Sequence, residues 1–226
     1  MYFDWTVLLA IPGLLLGLWA QAKVKRAYAK YSQIDTQRGI PAQELVRMLL
    51  ERQGVTGLTI QPVAGQMTDH YDPRKDTLAL SHGVYGSASV AAVGVAAHEA
   101  GHALQKYDHY PYLSLRTFIV PAVNLGSFAA WPIFLAGIFF SWDPLMYVGI
   151  GLFGLVVLFS LITLPVEFDA SRRAKAMLAD SGYFTQEELS GVQSVLTAAA
   201  LTYVASFVSV LLQLLRLLLI AQRRRR

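Results

Sequence analysis

The 226-residue chain has no cysteine, so disulfides, thiolate metal sites and a cysteine nucleophile are all excluded. Charge is also scarce. Asp, Glu, Lys and Arg make up 15% of the residues against 54% hydrophobic, and mean hydropathy is +0.42. A chain this apolar is neither disordered nor an ordinary water-soluble domain. The net charge is +4, and four of the cations sit in one terminal run, Arg223 to Arg226. No basic face remains to suggest a nucleic-acid partner. The composition is that of an integral membrane protein, in which any catalysis must use His, Asp, Glu, Ser, Thr, Tyr or Lys.

Asp, Glu, Lys and Arg are missing altogether from residues 5–22, 117–142, 144–166 and 189–215. A spanning helix needs about 20 apolar residues, so these stretches are candidate spans. Residues 77–98 are equally free of charge, but they contain Ser81, His82, Gly83, Tyr85, Gly86, Ser87 and Ser89. They read as a buried strand followed by a tightly packed helix. Residues 1–22 contain no Lys or Arg, whereas Lys23, Lys25, Arg26 and Lys30 follow at once. That is the wrong charge order for a cleaved signal peptide and the right one for an uncleaved anchor with its N-terminus outside. Residues 23–116 carry eleven Lys and Arg and residues 167–188 carry three. Both segments are therefore expected in the cytoplasm, joined by a hairpin of two spans. The last hydrophobic segment, 195–221, has a polar stripe of Thr202, Ser206, Ser209, Gln213 and Arg216 and no Pro or Gly to turn it. It is either a fourth span or a helix lying along the membrane surface.

Between the spans, Pro41–Gln53 reads as a helix ended by Gly54, and Leu58–Val63 as a short strand. Gln66–Tyr71 and Thr77–Ser81 read as two strands around the turn Asp72–Asp76. Helices are expected from about Ser87 to Gln105 and from about Val166 to Leu178. The predicted architecture is α+β and mostly helical: one membrane-embedded domain with three to four transmembrane helices and a small cytoplasmic part.

The chemistry concentrates in His98-Glu99-Ala100-Gly101-His102. On a helix, positions i and i+4 share a face about 6 Å apart. Two imidazoles so placed can grip one Zn²⁺, with Glu99 beside the open coordination position as general base. A third ligand is required. Asp108 would need a glycine at position 105 to break the helix, and Gln105 continues it. An intramembrane Asp-Gly ligand fails because no Asp-Gly occurs, and Asp143 lies at the far end of the hairpin. Glu167, the first charge after the third span, is the expected ligand. Its competing role is a carboxylate that favours a helix N-terminus. Glu44, Glu51, Glu187 and Glu188 are expected to be solvated or capping.

The order His98-Glu-Ala-Gly-His102, two spans, then Pro165-Val-Glu167-Phe-Asp-Ala-Ser-Arg-Arg-Ala174 resembles the membrane-embedded gluzincin peptidases, the HtpX and CAAX prenyl protease group. Closer still is the resemblance to the YugP-type neutral zinc metallopeptidases of bacterial membranes, along nearly the full length. His70-Tyr-Asp-Pro-Arg-Lys-Asp-Thr-Leu-Ala-Leu-Ser81 is similar to that family as well. The resemblance implies a zinc endopeptidase with ligands His98, His102 and Glu167 and base Glu99. The HtpX-like pattern has Asp four residues after the ligand Glu, orienting a zinc His. Here Ser171 holds that position and the nearest acid is Asp169, so Asp169 and Ser171 are the candidates for the role, with another acid such as Asp108 or Asp72 as the alternative.

Thr77, Leu78, Ala79, Leu80 and Ser81 form either an edge strand that holds substrate by strand addition or a buried hairpin arm. Candidate oxyanion donors are His82, His70, Tyr183 and Arg172; Arg172, Arg173 and Lys175 are expected at anionic headgroups. The expected activity is zinc-dependent endopeptidase action at the cytoplasmic membrane surface, with one Zn²⁺ per chain. The expected partners are a peptide or membrane-protein substrate and the lipid bilayer, with no nucleic acid. The alternative is a non-catalytic membrane scaffold retaining a structural metal site. Structural zinc sites usually take four protein ligands and no adjacent base, which favours catalysis. A metal transporter would carry ionisable groups inside its spans, and spans two and three have none.

Overall fold

The structure is a computed structural model that describes residues 5–224. Asp4 and the last two residues of the arginine run, Arg225 and Arg226, lie outside the described residues. A 3₁₀ turn, Trp5–Leu9, leads into α1 (Ala10–Tyr31), followed by α2 (Ala42–Arg52) and strands β1 (Thr59–Val63), β2 (His70–Asp72) and β3 (Thr77–Ser81). Then come α3 (His82–Tyr85), α4 (Val90–Tyr107), α5 (Pro111–Phe139), α6 (Asp143–Ser181) and α7 (Gln186–Arg224). The protein is thus mostly helical with one small sheet. Four helices, Trp5–Tyr31, Pro111–Phe139, Asp143–Ser181 and Gln186–Arg223, are long and apolar enough to cross a membrane.

The chain forms two compact units. The first comprises residues 1–20, 114–165 and 201–226. Its core is Ala130, Phe134, Met146, Ile150, Phe153, Leu217 and Ala221. Small residues let its helices approach closely, as expected where packing rather than hydrophobic burial drives association. A methyl added at Gly149 would stand 2.7 Å from the Phe134 nitrogen, and one at Gly13 would stand 2.9 Å from Ser209 Oγ. Two members of the α7 polar stripe therefore face the first helix: Ser209 lies against Gly13, and Arg216 donates to Thr6 Oγ1 at 3.4 Å. Ser206, by contrast, is exposed.

The second unit comprises residues 21–113 and 166–200 and carries the sheet. Its strand order is β1-β3-β2, with β1 parallel and β2 antiparallel to β3. Thr77–Ser81 is thus the central strand, hydrogen-bonded on both sides and almost wholly buried. This overturns its reading as a substrate-holding edge: Thr77, Leu78 and Ala79 pair with a strand on each side, while Leu80 and Ser81 pair with β1 and the Ser81 N–H donates to Asp69 Oδ1 at 2.7 Å. Leu78 and Leu80 instead join the core made by α2, α4, α6 and α7, with Leu45, Leu49, Val93, Ala97, Met177 and Val192.

Two helix boundaries differ from expectation. Helix α4 starts at Val90 because Ser89 caps it, accepting from the Ala92 N–H at 3.2 Å. Helix α6 runs unbroken through Pro165 to Ser181, so no separate helix begins at Val166. Glu188 is buried rather than solvated. Its carboxylate accepts from the Thr185 N–H at 2.6 Å and the Gln37 N–H at 2.7 Å, while Thr185 Oγ1 accepts from the Glu188 N–H at 3.2 Å. That is a capping box with an added long-range bond.

Candidate active site

Helix α4 is rich in alanine and glycine, and this lets it sit deep in its unit with little side-chain bulk. The closest approach is at Gly101, between the two motif histidines. A methyl there would overlap the Ala170 carbonyl oxygen of α6 and lie 3.0 Å from the Ala170 carbonyl carbon. Backbone meets backbone at this point, so side chains one turn away on the two helices converge.

They converge on a group of three. One ligand-type atom from each of His98, His102 and Glu167 lies within 4.8 Å of the others. Glu167 Oε2 is 3.2 Å from His98 Nε2 and 3.7 Å from His102 Nε2. The two rings are edge-to-face with centroids 4.9 Å apart. Glu167 is only 2% exposed. Its carboxylate oxygen thus faces two imidazole nitrogens in a nearly dry pocket.

The far side of each imidazole is also engaged. His98 Nδ1 lies 3.1 Å from Ser171 Oγ, and His102 Nδ1 lies 2.9 Å from Gln105 Oε1. Both Nε2 atoms are therefore the ones turned toward Glu167. Two imidazole nitrogens and one carboxylate oxygen, with the opposite ring nitrogens hydrogen-bonded, form a donor set that fits Zn²⁺. Among the described residues this is the group of His, Asp and Glu side chains able to hold a metal ion. Glu99, half-buried, sits one residue on from His98, roughly 100° around the helix.

Of the two residues expected behind the histidines, Ser171 reaches one and Asp169 does not. Asp169 does not touch a histidine; it accepts from Gln105 Nε2 at 3.0 Å and from Arg173 Nε at 2.6 Å, and it pairs with Arg172. Ser171, four residues after Glu167, does reach His98. Arg172 pairs its largely exposed head with Asp169. The Arg173 guanidinium is shared between Asp169 and Asp108. Asp108 is the α4 C-cap residue and is committed to that pair.

Tyr183 is removed from the site. It follows the end of α6 at Ser181, on the order of 20 Å along the helix axis from Glu167, and its ring lies under the Arg38 guanidinium at 4.7 Å. His70 and His82 are exposed, and His70 Nδ1 donates to the Thr68 carbonyl at 2.8 Å. Among the described residues neither makes a hydrogen bond to His98, His102 or Glu167. Asp72 accepts from the Arg74 N–H at 2.9 Å within its own turn. Gln105 and Gly101 were missed by motif reasoning, although position 105 shares the helical face of 98 and 102 by its i+7 and i+3 spacing.

Comparison with known proteins bears on this geometry. Residues 6–222 match the protein family described as "Putative neutral zinc metallopeptidase". The chain is 44% identical, over 214 residues and 95% of each chain, to the "Putative membrane protease YugP" of Bacillus subtilis (strain 168). No solved structure matches. The family match takes in both compact units and all three converging side chains, and the chain belongs to this family of neutral zinc metallopeptidases.

Proposed function

We propose that the protein is a membrane-bound zinc endopeptidase of the HExxH…E gluzincin type, in which His98, His102 and Glu167 hold one Zn²⁺ and Glu99 is the general base. The observation that carries this reading is the convergence of those three donors on a buried point, with a half-buried glutamate one residue from the first histidine. Three protein ligands leave a coordination position for water or substrate, whereas structural sites are closed by four.

Zinc at such a site supplies a Lewis acid that polarises a peptide carbonyl and lowers the pKa of water to about 7. The protein's own groups do the rest. Glu99 takes a proton from the attacking water as its oxygen bonds to the carbonyl carbon. The same carboxyl then gives that proton to the departing amine nitrogen as the C–N bond breaks. Glu167 stays ionised throughout, and Ser171 and Gln105 hold the two rings in place. A cleft of about 320 Å³ that includes Ala103 and Lys106 opens one to two turns beyond Glu99 on α4. It would receive part of a bound peptide.

Glu167 follows the apolar stretch 144–166 within one helix, which supports action close to the bilayer on loops or tails of membrane proteins or on released peptides. The excess of Lys and Arg in residues 23–116 supports the cytoplasmic side. The test is casein or self-cleavage by detergent-purified protein beside Glu99→Gln. Cleavage by the wild type alone, with zinc retained in both, is expected. Zinc retention with no turnover by the wild type on several substrates would instead favour a scaffold.

A further inference from the structure

Gln105 is the most deeply buried polar side chain in the neighbourhood of the three donors, with 0% exposure, and all its polar atoms are engaged. Its Nε2 donates to the Val166 carbonyl at 2.7 Å and to Asp169 Oδ2 at 3.0 Å. Both partners can only accept, so the amide cannot be turned the other way round. Its Oε1 must face His102 Nδ1, at 2.9 Å. An amide oxygen accepts and never donates, so Nδ1 must carry the hydrogen. Nε2 of a neutral His102 is then the bare nitrogen, and it is the one aimed at Glu167.

The other histidine lacks this constraint. Its Nδ1 partner is the Ser171 hydroxyl, which can donate or accept and so is compatible with either tautomer. The orientation of Gln105 is secured from outside as well. Asp169 is fixed by Arg172 and Arg173, and Arg173 is tied to Asp108 at the end of α4. The carboxylate that might have touched a histidine directly is one step removed, with an amide in between.

We infer that Gln105 is a positioning residue that fixes His102 in the Nδ1–H tautomer, presenting Nε2 ready for metal, with Asp169 and the Val166 carbonyl locking the amide. This rests on the reading of His102 as a ligand, yet it makes a statement about the metal-free protein that stands by itself.

The experiment uses the full-length protein in detergent, labelled with ¹⁵N at histidine and stripped of metal, at a pH where imidazole is neutral. The His102 signals are identified by their loss in His102→Ala. The expected result is a protonated Nδ1 and a bare Nε2. Zinc affinity is then measured by chelator competition for the wild type and for Gln105→Met, which keeps the volume and removes the acceptor. The variant should bind zinc 10- to 100-fold more weakly, with its metal-free melting curve still cooperative and its His102 tautomers mixed. A wild-type His102 protonated on Nε2 would overturn the inference, and so would a folded Gln105→Met with wild-type affinity and an unmixed tautomer. Should Gln105→Met fail to fold, the wild-type tautomer decides alone. Should the wild type bind no zinc, the metal reading fails, and the tautomer still tests what Gln105 does.

Discussion

Replacing Gly101 by alanine should separate the two helices that build the site, and replacing Gly94 by alanine on the same helix should not. Both changes gain helix propensity, up to about 1 kcal/mol each. At Gly94 the new methyl would meet Val192 Cγ1 at 3.4 Å, an ordinary contact with the end of a side chain. At Gly101 it would overlap the Ala170 carbonyl oxygen and stand 3.0 Å from the carbonyl carbon, and a backbone carbonyl cannot rotate away. Overpacking of this kind typically costs about 1–3 kcal/mol. Gly94→Ala should therefore be neutral or slightly stabilised, and Gly101→Ala should melt several degrees lower. The second consequence is the sharper one. Relief of the clash moves α6, and Glu167 with it, by more than the roughly 0.2 Å that metal–ligand distances tolerate. Zinc affinity should fall about tenfold or more, removing about 1.4 kcal/mol of zinc-linked stabilisation for each factor of ten. Thermal unfolding in detergent, with and without saturating zinc, reads both effects. Equal melting of the two variants, together with wild-type zinc stabilisation in Gly101→Ala, would refute the close-approach argument.

Ser171→Ala removes the hydroxyl beside His98 Nδ1 and should weaken zinc binding by about tenfold, measured by chelator competition, without abolishing it. Glu188→Ala leaves the N–H groups of Gln37 and Thr185 without their acceptor and should destabilise the protein by about 1–3 kcal/mol, read by denaturant or thermal melts. Asp76 is held below the usual carboxylate range by its hydrogen bonds from Lys106 and Tyr71. A depressed native pKa gives stability that is present above the unfolded value and lost as pH falls. The stability difference between wild type and Asp76→Asn should therefore be present at neutral pH and fade as pH drops below about 4; a difference independent of pH would contradict this.

The motif helix was legible because His98, Glu99 and His102 need only local periodicity to share a face. Glu167 was legible for a different reason: a lone charge directly after an apolar span has few places to go. The order of the sheet was not legible. Three strands in close succession suggest a hairpin with a neighbour, yet β1 pairs in parallel with β3 across the intervening β2, and nothing in the side-chain alternation announces a parallel partner. Pro165 suggested a helix boundary, whereas α6 continues through it, as helices among packed neighbours in a membrane protein can. Gln105 was read only as a residue that keeps a helix going. Its role depends on two acceptors on α6, Val166 and Asp169, which no local pattern brings near.

The central claim is that His98, His102 and Glu167 hold one zinc ion. Zinc X-ray absorption on the purified protein, wild type beside Glu167→Ala, tests it most directly. The account predicts one zinc per chain, with two imidazole nitrogens and carboxylate oxygen at about 2.0–2.2 Å, and loss of most of the metal from Glu167→Ala. Full zinc occupancy with an unchanged coordination shell in Glu167→Ala would contradict it.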